Sequence, residues 1–144
     1  MGRSAPQPGV PVKNSTMLTV SSLLSILLFS IHVAFDIVHG VERGDRGDLT
    51  GTVLIELVWL CAALLLAERR SGLIILLLGA ILAVGVPALH MNPTGIGAKY
   101  AETSGAVFFF WSLLALGVSG ALSLVLSLRG LWNLRSVRLA KTPS

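Results

Sequence analysis

Charge is what this chain most lacks. Only 12% of its 144 residues are Asp, Glu, Lys or Arg, whereas a soluble domain carries about 25%. That deficit, with leucine-rich runs and a mean hydropathy of +0.81, places the chain in a lipid bilayer rather than in water. Cysteine is almost absent as well. Cys61 stands alone, so no intramolecular disulfide, CxxC redox pair or thiolate cluster is possible, and the missing CxxCH excludes covalent haem. Lying inside "LIELVWLCAALLLA", Cys61 is expected as a small core residue. No GxSxG marks a serine hydrolase. The GxG of Gly95 to Gly97 has no preceding strand or βαβ unit, so it is no nucleotide site. No catalytic residue set emerges.

The net charge of +4 does not indicate a nucleic-acid partner. The basic residues sit at the ends of apolar runs, where they act as topology signals. Four such runs predict an all-α fold, an integral membrane four-helix antiparallel bundle with spans at about 17–39, 52–67, 73–89 and 106–128. Residues 1–16 are rich in proline and read as a disordered cytoplasmic leader, with Met17 as a second candidate start. Residues 129–144 form a basic cytoplasmic tail around Trp132. Between the spans, 40–51 reads as a charged glycine-rich turn, "ERRSG" as a tight turn and "HMNPTGIGAKYAETSG" as a loop.

The leader (Arg3, Lys13), the second loop (Arg69, Arg70) and the tail (Arg129, Arg135, Arg138, Lys141) hold eight of the eleven basic residues. That bias predicts both termini on the cytoplasmic side of an inner (plasma) membrane. The expected partners are the lipid bilayer itself and either further copies of the chain or a larger membrane complex.

The first span breaks its own pattern at "FSIHVAFDIVHG". His32, Asp36 and His39, spaced four and three, fall within about 60° of one another on a helix. An ionisable group facing lipid near the bilayer centre costs about 2.5 kcal/mol or more, so this stripe should face the bundle interior. Glu56 and His90 lie toward the same end of their own spans. Gly72, Gly79, Ala83 and His90, spaced seven, four and seven, share a helix face whose small residues permit close contact. That face points His90 inward. All three histidines of the chain therefore belong to one expected outward-facing pocket. A second small stripe, Gly105, Ser112, Ser119 and Ser123, reads as packing surface, and the "FFFW" of Phe108 to Trp111 as a lipid-facing or interfacial aromatic cluster.

Imidazole and carboxylate suit zinc, iron or copper(II). The candidate metal ligands are His32, Asp36, His39 and His90. The candidate ligand- or proton-binding groups are Asp36 and Glu56. A transition metal ion is one expected cofactor, and a b-type haem held between His90 and a first-span histidine is another. Three function classes follow: a small membrane protein with a metal- or haem-binding pocket, a small transporter or proton-coupled ligand-binding protein passing Ser22, Ser25 and Ser30, and a structural or accessory subunit. In the last, the polar groups satisfy one another, Asp36 with Arg43 and His32 with a carbonyl or Glu56.

Overall fold

The computed structural model describes residues 12–39, 46–91 and 105–140. Most of the leader, residues 40–45 with Arg43, the loop 92–104 and the end of the tail lie outside the described residues. The described chain is all-α, with α1 Val12–Val38, α2 Arg46–Leu65, α3 Arg70–His90 and α4 Ala106–Ala140. Three stretches are long and apolar enough to cross a membrane: Asn14–Val38, Arg70–His90 and Ala106–Ser136. The apolar part of α2, Leu49–Leu65, is shorter.

The helices outrun the expected spans. α1 begins five residues before Met17, directly after Pro11 in the sequence. α2 begins at Arg46, inside the segment expected to be a turn, and α4 runs twelve residues past 128. Hydropathy sets where side chains prefer lipid, but backbone hydrogen bonding continues until a residue stops it. Neither 12–16 nor 129–140 contains a proline, and single glycines such as Gly130 cost a helix only about 1 kcal/mol. Leu131 and Leu134 also pack against the core, which ties down the last turns of α4.

Buried positions recur at heptad spacing on three helices. On α1 they include Leu18, Ser22, Ser25, Phe29, His32 and Asp36, separated by four and three in alternation. On α4, Phe109, Leu116, Ser123 and Gly130 fall every seven residues, with Leu113, Gly120 and Ser127 between them. On α3 the series is Leu73, Leu76, Ala80, Ala83 and Pro87. A repeat of 3.5 residues keeps a seam facing its neighbour when helices wind left-handedly around one another.

The contacts run antiparallel between consecutive helices. Thr19 donates to the Ala63 carbonyl at 3.3 Å and Ser30 to Glu56 at 2.8 Å, aligning α1 with α2. Ser25 donates to Ser119 at 2.9 Å, aligning α1 with α4. A Cβ added at Gly120 would lie 2.7 Å from the Ala83 Cβ and 3.2 Å from α3 backbone, so α3 and α4 touch nearly backbone to backbone there. Gly79 instead receives the ring of Trp59, which is buried.

The four helices are not equivalent. α4 packs most extensively, against α3 and then α1, while α2 joins α1 and α3 more lightly. Its buried residues are Trp59, Ala62 and Ala63. Cys61, expected in the core, is exposed on the outer side of α2. The core is therefore a tight α1–α3–α4 unit with α2 laid against it.

Candidate functional site

α1 and α3 finish at the same end of the molecule, and their last turns carry the ionisable groups. His32 Nε2 lies 3.3 Å from Asp36 Oδ2, and His90 Nε2 lies 3.6 Å from that same oxygen. One ligand atom from each of the three residues falls within 4.8 Å of the others. Side-chain exposure is 3% for His32, 4% for Asp36 and 13% for His90, so the group is enclosed and His90 is its most accessible member.

Each placement has a local cause. The heptad pattern turns His32 and Asp36 inward, and their i, i+4 spacing stacks them on one face. His90 is the last residue of α3, three beyond Pro87, and its helix is drawn close to α4 by Gly120 and by Gly117, whose added Cβ would sit 3.4 Å from the Pro87 ring. The His90 Nδ1–H donates to the Val86 carbonyl at 2.9 Å. In the neutral ring this leaves Nε2 as the lone-pair nitrogen, and Nε2 faces the Asp36 carboxylate. Two acceptors pointing at one another repel unless a cation, whether a proton or a metal ion, lies between them.

His32 is less satisfied still. Neither of its ring nitrogens makes a hydrogen bond among the described residues, although the ring is buried. Its 3.3 Å approach to Asp36 is therefore off-line. Burying an imidazole with both nitrogens unused costs about 1–3 kcal/mol for each polar group left unpaired. Nitrogen and oxygen ligands on one tetrahedral ion point at the ion rather than at each other. With bonds of about 2.0–2.1 Å they end about 3.3 Å apart. The two histidine–Asp36 separations, 3.3 and 3.6 Å, are of that size, while the three ligand atoms together are held only within 4.8 Å.

Two of the five expected pocket residues lie elsewhere. His39 is exposed at the end of α1, its Nδ1–H donating to the Phe35 carbonyl at 2.9 Å and its ring stacked on Phe35 at 3.9 Å. Glu56 accepts from Ser30. Ser30 is two residues from His32, which on a helix turns it to another face of α1. Glu56 thus belongs to the α1–α2 contact, not to the cluster, and it does not partner His32.

The sequence reading also missed a residue. Phe109, expected in a lipid-facing or interfacial aromatic cluster, is buried, its ring 5.4 Å from His32 and 6.2 Å from His90. Phe108 and Trp111 do face outward. Phe109 lies four after Gly105 and three before Ser112, so it sits on the small stripe of α4. That spacing was the available signal. The ring seals the cluster from the α4 side.

A haem does not fit between His32 and His90. Two imidazoles on one haem iron face each other across the macrocycle, whereas the His32 and His90 rings meet edge to face at 4.7 Å with Asp36 and Phe109 against them. The two histidines and one carboxylate suit a small ion instead. The chain matches no protein-family model, and no curated protein or solved structure is significantly similar to it.

Proposed function

We propose that the protein is a four-span integral membrane protein whose His32, Asp36 and His90 bind a divalent transition metal ion of the zinc or iron class, close to the extracytoplasmic surface. The observation that carries the reading is the buried convergence of two imidazoles and a carboxylate within 4.8 Å, with neither ring nitrogen of His32 hydrogen-bonded among the described residues. Two histidines and one carboxylate leave at least one coordination position open, the ligand count of catalytic zinc and of non-haem iron sites. The Nδ1–H bond from His90 to Val86 is the kind of outer contact that fixes a ligating imidazole.

The membrane placement is supported by the three long apolar helices and by the cost of exposing such surfaces to water. The apolar part of α2, Leu49–Leu65, is about 25 Å long at about 1.5 Å per residue, so as a fourth span it crosses with little tilt and relies on its charged flanks reaching the interface. The lysine and arginine bias supports cytoplasmic termini in a plasma (inner) membrane. Cysteines introduced at Ser144 and at Thr94 test this orientation. An impermeant maleimide applied to intact cells should label the second and spare the first, and the reverse pattern would overturn it.

For the site, elemental analysis of the protein purified in detergent without chelator should find about one metal per chain. Acidification should strip the ion, because protons compete for the same nitrogen and oxygen lone pairs. A folded protein that neither retains nor takes up zinc, iron or cobalt(II) would remove the metal reading.

A further inference from the structure

The contact between α1 and α2 holds an ionisable group that the metal cluster does not use. Glu56 lies seven residues after Leu49 and nine before Leu65, near the middle of the apolar part of α2. It is half-buried, while its neighbours Ile55, Leu57 and Val58 are exposed on the outside of the bundle. With α2 as a span those neighbours face acyl chains, and an ionised carboxyl at that depth is costly.

Among the described residues no cation offsets that charge. The ion pairs found there join Asp36 to His32 and to His90, and neither includes Glu56. α3 has no titratable side chain between Arg70 and His90, and α4 has none from Ala106 to Leu128. On α1, His32 and Asp36 are buried in the cluster and His39 is exposed at the helix end. On α2 itself, Arg46 and Asp48 lie at least two turns nearer the helix start, and Cys61 is exposed.

What meets Glu56 is a hydroxyl. Ser30 Oγ lies 2.8 Å from Glu56 Oε1 and 3.0 Å from the Ile26 carbonyl oxygen. A hydroxyl carries one hydrogen and two lone pairs, so this one serves the carboxyl in either charge state. Ser30 donates to the ionised carboxylate. When the carboxyl holds a proton, its O–H donates to Ser30 Oγ, and the Ser30 hydrogen turns to the Ile26 carbonyl. Both arrangements keep the same heavy-atom positions and leave neither hydrogen without an acceptor. A backbone N–H in the place of Ser30 would favour the anion alone.

We propose that Glu56 is a proton-binding site within the membrane, taking up and releasing one proton at the α1–α2 contact with Ser30 as its two-way partner. On uptake the proton bonds to a carboxylate oxygen, and on release it passes to water. This rests on α2 as a membrane span and not on the metal reading of the trio. A proton is the ligand that suits the place. One carboxyl and one hydroxyl are too few ligands for a metal ion, and protonation removes the charge that lipid rejects.

Infrared difference spectra between acid and alkaline pH read the site, on the full chain in nanodiscs after chelator treatment. A protonated carboxyl has a C=O stretch distinct from the bands of the ionised group. The wild type should show such a band at acid pH and lose it as the pH rises. Glu56→Gln, which keeps the side chain's size, should lack it, and Asp36→Asn should retain it. Ser30→Ala should keep the band but move it to the higher frequency of an acid without its hydrogen-bond partner. Identical spectra for wild type and Glu56→Gln would overturn the inference, as would a Glu56 band that persists at every pH or one that Ser30→Ala leaves unmoved. A lipid-soluble carbodiimide, to whose C=N bond the carboxyl O–H adds with nothing leaving, should modify Glu56, and a water-soluble one should spare it. Equal modification by both would instead show that α2 lies outside the bilayer, a failure of the membrane reading that differs from an absent band.

Discussion

Six serines fill the α1–α4 seam at one end of the molecule, and three ionisable side chains meet at the other. Ser21, Ser22, Ser25, Ser119, Ser123 and Ser127 are as deeply buried as His32 and Asp36. They differ in how they are satisfied. Ser21 bonds the Leu18 carbonyl, Ser25 the Ser21 carbonyl and Ser119 the Leu116 carbonyl, each on its own helix. Ser123 donates to Ser21 at 2.9 Å. A hydroxyl both donates and accepts, and its own helix always offers a carbonyl within reach. Ser127 apart, such a seam needs nothing from outside. The cluster is arranged differently: His32 Nε2 and His90 Nε2 both approach the one oxygen Asp36 Oδ2, at 3.3 and 3.6 Å, and neither ring nitrogen of His32 makes a hydrogen bond among the described residues. Depth of burial alone does not mark a site. What sets the cluster apart is an unpaired buried imidazole beside a carboxylate and a second imidazole.

Replacing the carboxylate breaks this contrast most strongly. Asp36→Asn should weaken metal binding by more than about 100-fold, beyond what loss of an outer partner costs, as read by cobalt(II) titration. Asp36→Asn keeps the side chain's size and removes its charge, so the melting temperature of the metal-free variant against metal-free wild type measures that charge's own part in stability. Cobalt(II) affinity unchanged in Asp36→Asn would remove the carboxylate from the ligand set.

Packing substitutions come next. Gly79→Leu should destabilise the fold by about 1–3 kcal/mol, the usual range for overpacking, since the new side chain must displace Trp59. Gly51→Ala and Gly85→Ala meet nothing within 4 Å and should be neutral or slightly stabilising. Denaturation in mixed micelles separates these outcomes, and equal effects at all three positions would contradict the close helix contacts.

Smaller effects belong to the serine seam. Ser25→Ala should cost about 0.6 kcal/mol, the average for interhelical hydrogen bonds in membranes, with metal content unchanged. Ser127 is the exception in its own seam, buried with its hydroxyl unpaired among the described residues. Ser127→Ala should therefore be neutral or slightly stabilising, since it removes a desolvated group without breaking a bond. Loss of metal in either variant would show that the two regions are coupled.

Much of the fold was legible along the chain. Apolar runs long enough for a helix read as helices whatever their neighbours, and the inward turn of His32 and Asp36 followed from their spacing and from the cost of exposing them. Helix ends were not legible, because hydropathy marks solvent preference and not where backbone bonding stops. Phe109 went unseen because three consecutive phenylalanines face three directions, and only the register with Gly105 and Ser112 selects one. His39 and Glu56 were drawn into the pocket by being at the right depth. Depth along a helix says nothing about which neighbour lies across from it.

Composition and period by themselves determined the class of this protein: apolar helices with one polar face at the end of the first. Those are local properties, settled by what each side chain prefers as its surroundings and by 3.6 residues per turn. Which side chains meet was decided only by tertiary packing. The close approach of α3 to α4 at Ala83 and Gly120, and the seating of α4 on α1, bring His90 to the oxygen that His32 already touches. Distances between separate helices depend on how their surfaces interlock, and that is a property of pairs of faces which no single segment carries.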